Sequence, residues 1–190
     1  MIYSDKQVVD RKACLDWITH NDQALKRSTV GEGIENVNVR RSEVSFKTKK
    51  NASSDYITHA IMQVLEHVVS QANEGYAFDI YPVSEFQFTK YTHKEEGGYN
   101  WHSDGNVITE QHPSYTQRKL SVVLCLNDYG VNYKGGELLI ETENKNEKLE
   151  LKLEAGDVVV FPSFYRHKVN PLKEGVRYSI VSWVKGPKWR

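Results

Sequence analysis

The spacing of apolar positions changes once along the chain. Cys14, Trp17, Ile18 and Leu25 fall on one stripe at helical spacing, and Ile57, Ile61, Val64, Leu65, Val68 and Ala72 fall on another. Stripes of this kind predict two amphipathic helices, each needing an apolar surface to cover it. Asp10 is placed to cap the first, and Ser54 or Asp55 the second. The second should stop near residues 73–75, where Asn73 and Gly75 make a left-handed turn easy.

After Asp79 the period shortens. Apolar or alternating runs at 84–91, 100–104, 119–127, 137–141, 148–153, 158–161 and 177–185 are separated by Gly, Asn and Pro, and a further run covers 38–46. Short strands that follow the helices, with no strand–helix alternation, argue against a parallel α/β sheet. They predict a mainly β, α+β fold: a double-stranded β-helix, or distorted jelly roll, buttressed by N-terminal helices. One domain over 1–190 suffices, with 1–78 as helical support and edge strand and 79–190 as the core. Residues 105–117 lack a period and read as a loop, either a lid or an ordinary hairpin connection, with His112 at its rim.

Composition narrows the setting. At 190 residues the chain can bury roughly 70% of its unfolded surface in one core. Lys plus Arg (25) equals Asp plus Glu (25), so no net field favours nucleic acid or an anionic membrane, and the basic clusters at 47–50 and 185–190 read as solvated turn and tail. Two cysteines, Cys14 and Cys125, fall on apolar faces and are expected as buried thiols. With no apolar leader and no bilayer-length run, a cytoplasmic protein is expected, with no membrane partner.

The chemistry gathers around His102-Ser103-Asp104. In an extended strand, side chains at i and i+2 share a face, so His102 and Asp104 can hold one ion together. His167 follows the apolar strand 157–162 and can supply a third ligand. Two histidines and one carboxylate are the ligand set of non-heme Fe(II) sites that keep metal positions open. Beyond it, alternation in Arg177-Tyr-Ser-Ile-Val-Ser-Trp183 places Arg177, Ser179, Val181 and Trp183 on one face and Tyr178, Ile180 and Ser182 on the other.

In order, H-x-D at 102–104, G-G-E-L at 135–138, G-D-V-V-V-F-P at 156–162, His167 and R-Y-S at 177–179 resemble the catalytic core of the Fe(II)/2-oxoglutarate dioxygenases. Within that superfamily the stretch from Tyr91 to Val184 resembles the prolyl 4-hydroxylase group, including PKHD-type and phage-encoded bacterial-like members. A bacterial or phage-infected cell is the setting this suggests. The resemblance implies Fe(II) on His102, Asp104 and His167, and 2-oxoglutarate and O2 as cosubstrates. It also implies release of succinate and CO2, with ascorbate as a reductant.

By family position Arg177 meets the far carboxylate of 2-oxoglutarate, a role suited to a planar, permanently charged fork, with Ser179 and Tyr91 as hydroxyl donors. Arg rather than Lys at 177 places the chain nearer the PKHD and oxygen-sensing types than the collagen type. Halogenating relatives lack the carboxylate ligand, so Asp104 favours hydroxylation. Trp183 and Tyr99 are candidate pocket walls for substrate, one of Arg40 and Arg41 is expected at the mouth with Arg41 the choice, and Trp101 should point away from the metal into core. The reading is a hydroxylase of prolyl residues in a peptide or protein. Two alternatives stay open: the same cofactors acting on a free amino acid or small metabolite, and a non-catalytic metal-holding jelly-roll module. The oligomeric state is not readable.

Overall fold

The computed structural model describes residues 1–28, 39–52, 54–105, 116–144 and 147–189. The strands are Tyr3–Asp5 (β1), Lys26–Arg27 (β2), Arg40–Arg41 (β3), Glu43–Thr48 (β4), Glu85–Thr92 (β5), Gly98–His102 (β6) and Thr116–Cys125 (β7). They continue with Tyr133–Gly135 (β8), Leu138–Glu141 (β9), Lys148–Leu151 (β10), Val158–Pro162 (β11), His167–Val169 (β12) and Leu172–Pro187 (β13). The helices are Arg11–Asn21 (α1), Lys49–Ala52 (α2) and Tyr56–Tyr76 (α3).

The strands form two antiparallel sheets. The larger runs β1-β11-β7-β13-β5-β4-β2, with β8 paired to β13, and the smaller runs β10-β9-β12-β6-β3. One core lies between the larger sheet and the helices, where Phe86, Phe88, Leu120, Val122, Leu124, Val158, Val160 and Ile180 meet Trp17, Ile61, Leu65 and Val68. A second lies between the sheets, where Val123, Cys125, Val159 and Phe161 meet Leu138, Ile140 and Val169. This is the expected double-stranded β-helix with helical backing. It explains the nearly continuous apolar runs over 120–125 in β7 and 158–162 in β11: a strand covered on both faces has no solvent side on which to place polar residues.

Local chemistry sets the helix ends. Asp10 accepts the amide of Ala13 at 2.8 Å, and Asp55 accepts those of Ile57 and Thr58, so each helix starts on a side-chain cap. Helix α1 ends at Asn21, so Leu25 is not on it; Leu25 reaches the core from the segment beyond. Helix α3 runs past Gly75 to Tyr76, and the left-handed residue is Ala77, φ 51°. Asn73 braces that stop by accepting the amide of Phe78 and donating to its carbonyl, both at 3.0 Å. Both cysteines are buried free thiols.

Several strands are shorter or longer than their apolar runs. β6 ends at His102, one turn of chain before Asp104, because Asp104 bonds sideways to Ser121 and leaves the ladder. β13 extends over 16 residues, and His167 opens a short strand, β12, that lies outside the predicted runs. Of the run 38–46, Asn38 lies outside the described residues, as do His112 and most of the stretch 105–117. Among the described residues no helix is long and apolar enough to cross a membrane.

Candidate metal centre

β12 is inserted between β9 and β6, and its register puts His167 directly opposite His102. Asp104, just beyond the end of β6, closes the group: one ligand atom from each of the three residues lies within 4.8 Å of the others. His102 Nε2 is 3.6 Å from Asp104 Oδ1 and His167 Nε2 is 3.4 Å from Oδ2. Asp104 and His167 are buried and His102 nearly so.

The second ring nitrogens fix the tautomers. His102 Nδ1 lies 2.7 Å from the Asn100 carbonyl and His167 Nδ1 lies 3.1 Å from the Tyr165 carbonyl. A carbonyl only accepts, so both Nδ1 atoms carry hydrogen and both Nε2 atoms turn toward Asp104. Such outer bonds aim imidazoles at a metal. Ser121, whose hydroxyl also contacts Ser163 at 3.0 Å, donates to Asp104 Oδ2 at 2.8 Å.

The electrostatics suit a cation. Burial alone would raise the Asp104 carboxyl, but His167 and then His102, when protonated, together with the Ser121 bond, outweigh it and hold Asp104 well below the usual carboxylate range. Burial, aided by the proximity of His167, pushes His102 down to about 4, so its Nε2 is an open lone pair at neutral pH. Two imidazole lone pairs and one ionised carboxylate on one face fit Fe(II) with positions left over.

β13 supplies the floor next to this group. Arg177, Ser179, Val181 and Trp183 line one cavity with His102, Asp104 and His167, as their alternation predicts. Tyr91 sits opposite Arg177 in the β5–β13 register, and Tyr91 and Tyr99 line the same cavity. Tyr99 stacks on the His102 ring with centroids 3.5 Å apart. Arg177 is 1% exposed and gives Nη1 to Ser179 Oγ at 3.0 Å. Among the described residues its Nε has no partner, nor does the Trp183 indole nitrogen, and no Asp or Glu pairs with Arg177. A buried guanidinium without a carboxylate is costly. An acid entering this cavity would complete it, which is the fit a dicarboxylate such as 2-oxoglutarate provides.

Two sequence expectations change. Arg41 does not face the cavity: its neighbour Arg40 does, because successive β3 residues point to opposite faces, and Arg41 pairs with Glu96 outside. Trp101 does point away from His102, Asp104 and His167, but it is half-buried on the outer side of the smaller sheet among Lys148, Arg166 and Lys168 rather than in core. Sequence reasoning missed Ser121, Ser163 and Gln87. Ser121 left a signal, a lone polar residue within the apolar run 120–126.

Residues 86–185 match the family model described as the 2OG-Fe(II) oxygenase superfamily. A PKHD-type hydroxylase of Prochlorococcus marinus (strain NATL1A) is 39% identical over 84 residues, which is 44% of this chain and 37% of that relative. The chain thus spans well under half the length of this curated relative. A prolyl-4-hydroxylase of Pseudomonas putida superposes with a TM-score of 0.76 at 17% identity, covering 98% of this chain and 93% of that one. A prolyl hydroxylase in complex with a hypoxia inducible factor oxygen degradation domain peptide fragment, from Trichoplax adhaerens, gives 0.76 at 17% identity, covering 96% of this chain and 82% of that one. At such identities the likeness is one of fold.

Proposed function

We propose, because this chain belongs to the 2OG-Fe(II) oxygenase superfamily, that it is a 2-oxoglutarate- and O2-dependent hydroxylase of prolyl residues in a peptide or protein. His102, Asp104 and His167 would hold Fe(II), and Arg177, with Ser179 and Tyr91, would hold 2-oxoglutarate. The observation that carries this reading is the buried Arg177 guanidinium, beside the two-histidine, one-carboxylate group and without an acid of its own. A module that merely held a metal would gain nothing from that cation.

Bound Fe(II) with 2-oxoglutarate and O2 supplies the oxidising power, one oxygen atom going to the substrate and the other to succinate as CO2 leaves. The chain supplies the rest. The Asn100 and Tyr165 carbonyls aim the imidazoles, and Ser121 holds Asp104 in place. Arg177 draws a carboxylate into a cavity walled by Val123, Leu138 and Val169, where low water content strengthens the pairing. Asp104 at the carboxylate position supports hydroxylation rather than halogenation.

The acceptor is inferred from shape and likeness. The cavity opens into a wide cleft where Phe46, 57% exposed, stacks with Trp183 at 6.5 Å. Aromatic faces of this kind suit a pyrrolidine ring. The relative from Trichoplax adhaerens, described as holding a peptide, supports a peptide over a free amino acid. The test is mass spectrometry of a proline-rich peptide library after incubation with Fe(II), 2-oxoglutarate, ascorbate and O2. A 2-oxoglutarate-dependent gain of one oxygen on proline is expected. Succinate formed with free amino acids and not with peptides would overturn the acceptor.

A further inference from the structure

The cleft in front of the centre has a charge pattern that the metal and cosubstrate do not use. Its volume is about 870 Å³, and it shares Arg40, Gln87, Tyr99, Asp104 and Trp183 with the inner cavity, so a substrate reaches the centre through it. Among the described residues five cations line it: Lys26, Arg27, Arg40, Lys47 and Arg118. The one acid among the described lining residues is Asp104, already engaged by the two histidines and Ser121. The chain as a whole carries equal numbers of acids and bases, so this concentration is local.

Two of the five cations are partly answered. Arg27 meets Glu95 at 3.0 Å and Lys47 lies 3.8 Å from Asp55. Lys26, Arg40 and Arg118 pair with no Asp or Glu among the described residues. The two arginines lie over aromatic rings, Arg118 with its guanidinium carbon 4.2 Å from the Trp183 centroid and Arg40 with its own 4.8 Å from that of Tyr99. The Arg40 Nε–H also donates to Ser42 Oγ at 2.9 Å, which leaves its two terminal nitrogens for a ligand. Forks restrained in this way lose little entropy when a carboxylate docks. The buried Ser45 hydroxyl, also in the cleft wall, has no partner among the described residues.

Resting on the reading of the site given above, we propose that the cleft receives an acidic peptide segment, whose Asp or Glu side chains beside the target residue meet Arg40, Arg118 and Lys26. A peptide rather than a small anion is favoured because the cations are spread along the cleft wall, from Lys26 on β2 through Arg40 on β3 to Arg118 on β7.

The test is fluorescence anisotropy on the full chain loaded with Mn(II) and 2-oxoglutarate, using proline peptides that differ only in flanking Glu, Gln or Lys. The Glu peptide should bind about tenfold more tightly than the Gln peptide, the sum of two or three solvent-screened ion pairs. That margin should shrink as salt rises. Arg118→Gln and the exposed Lys26→Gln should each narrow the margin without weakening 2-oxoglutarate binding, and Lys26→Gln keeps the test alive should Arg118→Gln fail to fold. Equal binding of the Glu and Lys peptides overturns the proposal, as does tighter binding of a single-stranded oligonucleotide than of the Glu peptide. Hydroxylation of proline with no charge preference would defeat this inference alone. A clear charge preference without oxygen gain on any peptide would defeat the hydroxylase reading alone.

Discussion

His102 and His167 stand opposite each other in the β6–β12 register, with ring centroids 4.1 Å apart, and each gives its Nδ1–H to the carbonyl two residues before it. The same short backbone motif thus sets both rings, although one comes from the end of a strand and the other from a strand of three residues. What the pair shares is Asp104, reached by both Nε2 atoms. Convergence of two imidazoles and a carboxylate from two distant segments is what a metal can stabilise and an apolar core cannot use.

Metal binding should therefore stabilise the fold through this group. Mn(II) at a hundredfold excess over its dissociation constant should contribute about 2.7 kcal/mol, or roughly 5–10 °C in Tm for a domain of this size. Asp104→Asn should lose most of that shift in a thermal melt. A full shift in the variant would place the ion elsewhere.

Arg177 should separate stability from cosubstrate binding. Because its charge is buried without an acid, Arg177→Met should be as stable as the parent or more so in urea. Losing two charge-assisted hydrogen bonds should weaken 2-oxoglutarate binding by roughly 100-fold or more, while metal affinity holds. Isothermal titration of both ligands reads the two effects independently.

Gly136 positions Arg177. Its φ is +68°, and an added Cβ would lie 2.7 Å from Leu172 Cδ1 and 3.1 Å from Arg177 Cδ. Gly136→Ala should cost about 1–2 kcal/mol in backbone strain. It should also weaken 2-oxoglutarate binding by displacing the Arg177 stem. Stability lost with unchanged cosubstrate affinity would reduce the glycine to a turn residue.

Acid stability should depend on Asp55, the N-cap of α3. Burial acts to raise its carboxyl, but hydrogen bonds from Thr58 and His20 and the cap to α3 outweigh this and hold it at about 2 against an ordinary 3.8. A depressed folded-state value means stability that is present above the unfolded value and lost as pH falls through the folded one. Asp55→Asn should therefore be less stable than the parent at neutral pH, by about 1 kcal/mol once solvent screening is counted. The difference should fade from about pH 4 toward pH 2 in denaturant titrations. A constant difference across that range would assign the effect to the amide rather than to ionisation.

The faces of β13 were legible because strict alternation over 177–183 survives in the fold, with Arg177 and Ser179 on the cavity side and Ile180 on the helix side. His102, Asp104 and His167 were legible as residues but not in their setting. β12 is too short to leave a periodic signature, and Asp104 leaves its strand because Ser121 of β7 captures it, a contact made far away in sequence. The choice between Arg40 and Arg41 failed for a related reason. A two-residue strand carries no alternation, and its facing was decided by pairing with Tyr99 and Gly98 of β6. The left-handed stop at Ala77 was expected near 73–75 and falls later because the bracing side chain of Asn73 substitutes for glycine's freedom.

The most direct test of the proposed centre is an anaerobic titration of the Fe(II)-loaded protein with 2-oxoglutarate, followed by visible absorption. A charge-transfer band should develop in the parent protein, be lost in His102→Ala and Asp104→Ala, and in Arg177→Met appear only at far higher 2-oxoglutarate. No band in the parent, with Fe(II) bound, would contradict the assignment of this site to iron and 2-oxoglutarate.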